Sequence, residues 1–206
     1  SFSMLTCIQQ SVMNLGILMV QGLVNSFGTV VMAAFAAAVK IDAFAYMPVQ
    51  DFGNAFSTFI AQNYGAGKND RVRKGYKAAL WTVGVWGVLI SLAFICFPNA
   101  IADIFFHEPK AIETAVGYLV IIGFSEAFMC VELTTVGALS GLGRTRLCSI
   151  ISITFTSARI PLAIILGGMI GLSGIWWALS VTSIVKGIIF TCTFLWITRK
   201  RQVNKI

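Results

Sequence analysis

Charge is the scarcest commodity in this sequence: Asp, Glu, Lys and Arg make up 11% of 206 residues, against 57% hydrophobic, where a soluble domain carries about a quarter charged. The shortage excludes a water-soluble globule. Charge-free windows at 1–39, 78–102 and 160–185 each exceed or match the roughly 20 apolar residues that cross a bilayer core as a helix. Histidine is almost missing too. His107 is the only one and falls in a predicted loop, so neither a Ser-His pair nor an imidazole metal site can be built inside the membrane, and no spacing singles out an aspartyl pair around Asp51. No C-x-x-C pair exists among Cys7, Cys96, Cys130, Cys148 and Cys192; scattered over five predicted spans, they read as small packing residues. Absent as well are paired Asn-Pro-Ala turns and a Thr-Val-Gly-Tyr-Gly filter, which counts against a channel. No basic stretch precedes the first span, which is too long and too rich in amides for a signal peptide.

What is present is a series of apolar stretches separated by turn residues. Asn25 to Gly28, Gly65-Ala66-Gly67, Pro98-Asn99 with Pro109, Gly141-Leu142-Gly143 and Gly167 to Gly174 divide the chain into six predicted helices near 4–27, 33–64, 75–99, 112–140, 146–168 and 173–198. The expected fold is an all-α membrane protein, a single six-helix bundle over 1–206. Because the chain begins at Ser1 almost inside a helix, the reading expects a longer protein of which this is the latter part.

The net charge of +7 serves topology in this reading. Lys68, Arg71, Arg73, Lys74 and Lys77 follow the second helix, Arg144 and Arg146 the fourth, and Arg199, Lys200, Arg201 and Lys205 the sixth. The 99–113 loop holds only Lys110, beside Asp103, Glu108 and Glu113. Basic residues flanking spans stay cytoplasmic, so this parity supports six spans with both ends of the segment in the cytoplasm. A nucleic-acid groove would interleave stacking aromatics with the cations on a soluble face; no nucleic-acid partner is expected.

Polar groups inside predicted spans are functional candidates, because lipid penalises them. Thr6, Gln10, Asn14, Gln21 and Asn25 share a sector of about 100° on the first helix. Lys40, Met47, Asp51, Asn54, Thr58 and Gln62 share a face of the second, where Pro48 removes a backbone donor and predicts a kink. The fourth helix carries Glu126 and Glu132, about 120° apart, with Gly137 and Gly141 suited to close helix packing. The fifth presents Ser149, Ser152, Thr156 and Arg159; the sixth places Lys186 beside Thr182 and Ser183. These charges either pair with one another or serve transport: a carboxyl group in low dielectric readily exchanges a proton or binds a cation. Which of Glu126 and Glu132 faces a cavity is left open.

Three stretches, PVQDFGNAFSTFIAQNYGAGKNDRVRKG (48–75), GALSGLGRTRLCSIISITFTSARIPLAIIL (137–166) and GLSGIWWALSV (171–181), resemble the multidrug and toxic compound extrusion (MATE) family of the MOP superfamily. The resemblance covers all six helices. It implies one lobe, the carboxy-terminal one, of a twelve-helix transporter, with the amino-terminal lobe of the same chain as its missing partner. It further implies antiport: amphipathic, often cationic organic compounds expelled in exchange for Na⁺ or H⁺ by alternating access, without a cofactor, in a bacterial plasma membrane. Many relatives carry an acid on the first helix of this lobe, where this chain has Gln9, Gln10, Asn14 and Gln21. A fourth-helix carboxylate is matched by Glu132 first and Glu126 second, with Na⁺ conceivable at either, and Asp51 is a further coupling candidate. Gln10, Asn14, Gln21, Asn54, Thr58, Gln62, Arg159 and Lys186 are expected to line the cavity. A flippase for lipid-linked sugars is the rival within the superfamily; it calls for an arginine-lined interior, and Arg159, Lys186 and Lys40 are the cations on offer. A non-transporting structural membrane subunit is the remaining alternative.

Overall fold

In the computed structural model the described residues are 2–203, with side chains described from residue 11 to 199 except that of residue 13. Helices α1 (Phe2–Asn25), α2 (Thr29–Gly65), α3 (Asn69–Cys96), α4 (Pro98–Phe105), α5 (Pro109–Gly141), α6 (Thr145–Ile170) and α7 (Leu172–Val203) follow one another with short turns. Among the described residues there is no strand. Five helices, α2, α3, α5, α6 and α7, are long and apolar enough to cross a membrane; α1 adds a sixth long helix.

The helix absent from the sequence reading is α4, eight residues in the loop after α3. Pro98 starts it at the first helical position, where its missing N–H is not needed. Pro48 and Pro161 lie inside α2 and α6, which run on as continuous helices through them. At about 1.5 Å per residue α2 is roughly 55 Å long, more than a bilayer core requires.

The central helix is α5, packed against α2, α3 and α7, while α6 joins α7 to α1. Its centrality follows from its sequence: apolar or small residues occur on most sides, and it has more buried positions than any other helix, with only a narrow outward face at Phe124 and Phe128. Close approach to α2 depends on small residues. A side chain at Gly137 would collide with the backbone of Gly53, and one at Gly141 with the carbonyl of Ser57, so the anticipated small-x-x-x-small pair of α5 meets a matching Gly53/Ser57 pair on α2.

Two apolar layers close the bundle. At one end Val24, Phe35, Leu119 and Trp176 belong to a core with α4 beside it; at the other, Ile60, Tyr76, Leu139, Phe190 and Phe194 form a second. Through and between these cores runs a buried polar belt on four helices: Asp42 on α2, Glu126, Glu132, Thr134 and Thr135 on α5, Ser149, Ser152 and Thr156 on α6, and Ser180, Thr182, Ser183 and Lys186 on α7.

Both turns at the basic end are built alike. Gly67 N–H donates to Tyr64 O and Lys68 N–H to Asn63 O; Gly143 N–H donates to Ser140 O and Arg144 N–H to Leu139 O. These are paired Schellman closures, with Gly67 at φ 71 and Gly143 at φ 73, backbone values that favour glycine. The Gly-x-Gly repeats of the sequence thus end α2 and α5 and each hands on to a cation.

Candidate functional site in the buried polar belt

The belt has two halves. In the first, Tyr118 on α5 donates its hydroxyl to Oδ2 of Asp42 on α2 at 3.1 Å. Glu126, two helical turns beyond Tyr118 on the same side of α5, is a neighbour of Asp42, close enough for the two carboxyl groups to feel each other's charge. Glu126 is 0% exposed and Asp42 7%. Among the described residues, Oδ1 of Asp42 and both carboxyl oxygens of Glu126 have no hydrogen-bond donor. Tyr46, one turn along α2 from Asp42 and half-buried, is near enough to both acids to sense their charge. Two adjacent carboxyl groups in an apolar setting do not both carry charge unless a proton or cation comes between them.

In the second half Lys186 Nζ stands 2.8 Å from Glu132 Oε1, both side chains buried. Arg159, on α6, donates through Nε to Thr182 Oγ1 at 2.8 Å and through an NH₂ group to Ser183 Oγ at 3.2 Å. Thr182 can accept because its own hydroxyl proton goes back to the Ala178 carbonyl at 2.8 Å. Glu132 therefore has a fixed counter-ion, whereas among the described residues Glu126 has none and has another acid beside it.

Sequence reasoning singled out Glu126, Glu132, Arg159 and Lys186, and all four reach this belt. It passed over Asp42 and Tyr118. The available signal was a carboxylate nine residues before Asp51, half a turn away on the opposite face of α2. That opposite face, Asp42, Val49, Gly53, Phe56 and Ile60, is the buried one. The stripe that drew attention lies outward: Lys40, Met47, Asp51, Asn54, Thr58 and Gln62 are all exposed. On α1, Asn14 and Asn25 are exposed and Gln21 half-buried; the side chains of Thr6, Gln9 and Gln10 lie outside the described residues.

The family model MatE matches residues 3–165. The chain belongs to the MatE family. This MATE lobe is 27% identical over 178 residues to the probable multidrug resistance protein NorM of Thermotoga maritima, covering 83% of the chain and 38% of that protein. It is 24% identical over 164 residues to the FAD transporter of Shewanella oneidensis, covering 79% and 36%. Its fold matches the Vibrio cholerae MATE transporter VcmN in the bent form with a TM-score of 0.83 at 21% identity, over 95% of this chain and 45% of that one. An outward-facing multidrug resistance MATE transporter of the MOP superfamily matches with a TM-score of 0.87 at 18% identity, over 96% and 44%.

The chain thus spans about two fifths of the length of these relatives, and it is one lobe of a MATE-type fold. The family is one of integral membrane transporters, not of enzymes.

Proposed function

We propose that this MATE lobe is half of a secondary antiporter that exports amphipathic, often cationic organic compounds in exchange for Na⁺ or H⁺. The observation that carries the reading is Glu126: a fully buried carboxyl without a donor, side by side with Asp42. Such a pair takes up a proton or a small hard cation, and carboxyl and hydroxyl oxygens are the ligands such a cation prefers. Coupling follows when ion and cationic substrate compete for the same negative charge, because each then favours a different state of the transporter. Glu126 with Asp42 ranks ahead of Glu132 as the coupling site, since Lys186 already neutralises Glu132.

The exposed α2 stripe from Asp51 to Gln62, with Asn14 on α1, is assigned to the cleft against the missing amino-terminal lobe, where Asp51 would meet substrate. The basic loops after α2, α5 and α7 are assigned to the cytoplasmic side of a bacterial plasma membrane. One observation supports a second reading, in which the transported compound carries an anionic group: Arg159 has hydroxyl partners rather than a carboxylate in contact, and one relative is an FAD transporter. A flippase interior would offer several unpaired cations, and the Lys186–Glu132 pair argues against it.

The test is transport by the full-length protein in proteoliposomes. An imposed Na⁺ or H⁺ gradient should drive movement of a fluorescent organic cation, and Glu126→Gln should abolish the coupling. Failure of both gradients, or full activity of Glu126→Gln, would sink the proposal. A fluorescent anion moved in place of the cation, with loss in Arg159→Gln, would select the second reading.

A further inference from the structure

We infer that the cavity enclosed by the ends of α2, α3, α5 and α7 is a binding site for the phosphodiester headgroup of an anionic membrane lipid. It holds about 420 Å³ and is lined by Lys68, Arg71, Arg73 and Arg144, with Asp70 as the one acid. Three of the four cations lie within residues 68–73, and the fold brings Arg144, from the turn after α5, to join them. Lys68 and Arg144 each follow the left-handed glycine of the two matching turns, and Arg71 and Arg73 occupy the first turn and a half of α3.

Topology alone requires basic residues near this end of the bundle, but it does not require them to converge on a cavity. Lys68, Arg71 and Arg144 make no side-chain hydrogen bond or ion pair with any described residue. Arg73 is oriented by donating to the Thr198 carbonyl at 2.7 Å, which leaves further N–H groups of its guanidinium to reach a ligand. A guanidinium fork suits phosphate oxygens in particular.

The position decides between lipid and free phosphate. The cavity sits at the ends of α2, α3, α5 and α7, where the apolar stretches give way to charge, and its wall includes Leu142 and Ile197 beside the cations. A phosphodiester with its glycerol meets both surfaces, whereas inorganic phosphate meets only one. Basic pockets between transmembrane helices at the cytoplasmic face favour such headgroups. The inference needs the membrane orientation given above but does not depend on the transport reading.

The experiment is native mass spectrometry of the full-length protein exchanged with phosphatidylglycerol or phosphatidylcholine. Phosphatidylglycerol should be retained, and Arg71→Gln with Arg144→Gln should weaken retention by about tenfold or more. Lys77→Gln with Lys110→Gln removes the same charge away from the cavity and should leave retention unchanged. Arg71→Lys with Arg144→Lys keeps the charge but not the fork; with the same helical circular dichroism as wild type it should retain lipid more weakly than wild type and better than the glutamine pair. Equal loss in the Lys77/Lys110 variant, equal retention of phosphatidylcholine, or displacement of the lipid by inorganic phosphate would overturn the assignment.

Discussion

Lys186 on α7 and Glu132 on α5 form a buried ion pair, Nζ to Oε1 at 2.8 Å, that ties the central helix to α7 in the middle of the bundle. Either charge alone would be stranded between two apolar layers. Removing one partner should therefore hurt far more than removing both.

Lys186→Met or Glu132→Gln is expected to destabilise the protein by about 3–5 kcal/mol. The double variant should recover most of that loss. Denaturant titration of the four proteins in one detergent measures the coupling, and additive effects of the two substitutions would contradict it.

Glu126 behaves in the opposite sense. Exchanging an unbonded buried carboxyl for an amide should leave stability unchanged or raise it, while removing any stabilisation by sodium. Ligand binding to the folded state raises the melting temperature, so wild type should melt higher in NaCl than in choline chloride if Na⁺ is the coupling ion. Glu126→Gln should show no such difference. Proton coupling predicts no salt-specific shift in either protein.

Tyr118→Phe removes the donor to Asp42 and should cost about 1 kcal/mol. A companion Tyr46→Phe, at a half-buried position, is expected to cost less. Equal effects in the same thermal assay would contradict the bond between Tyr118 and Asp42.

Gly137→Val should disrupt the α2–α5 crossing, since its new side chain meets the Gly53 backbone; overpacking of this kind costs about 1–3 kcal/mol or more. Gly84→Ala is the contrast. With nothing within 4 Å of an added methyl, it should stabilise by about 0.5–1 kcal/mol through helix propensity.

Orientation is open to direct measurement in a cysteine-free background. Lys74→Cys and Lys110→Cys should react with an impermeant maleimide from opposite sides of the membrane, Lys74→Cys only after the cytoplasmic face is exposed. Labelling of both from the same side would refute the assigned topology.

The helices were legible because their signals are local. Apolar length, the Gly-x-Gly turns and the alternation of basic loops act over a few residues, and the MATE resemblance rests on the same segments. Only α4 escaped, being too short to generate a period. The site was half legible. Glu126, Glu132, Arg159 and Lys186 stood out as charges in apolar runs, yet their partners lie on other helices. Nothing in the 53 residues between Glu132 and Lys186 announces the pair. On α2 the polar stripe around Asp51 was the more conspicuous pattern, and it proved to be the exposed face, with Asp42 buried behind it.

By itself, then, the sequence determined which stretches are helices, that they belong in a membrane and which ends share a side, because hydrophobicity and charge act on each segment separately. Only the tertiary structure decided which face of each helix turns inward. That choice depends on where Gly53, Gly137 and Gly141 let backbones touch, and it is what leaves Glu132 neutralised by Lys186 while Glu126 faces Asp42.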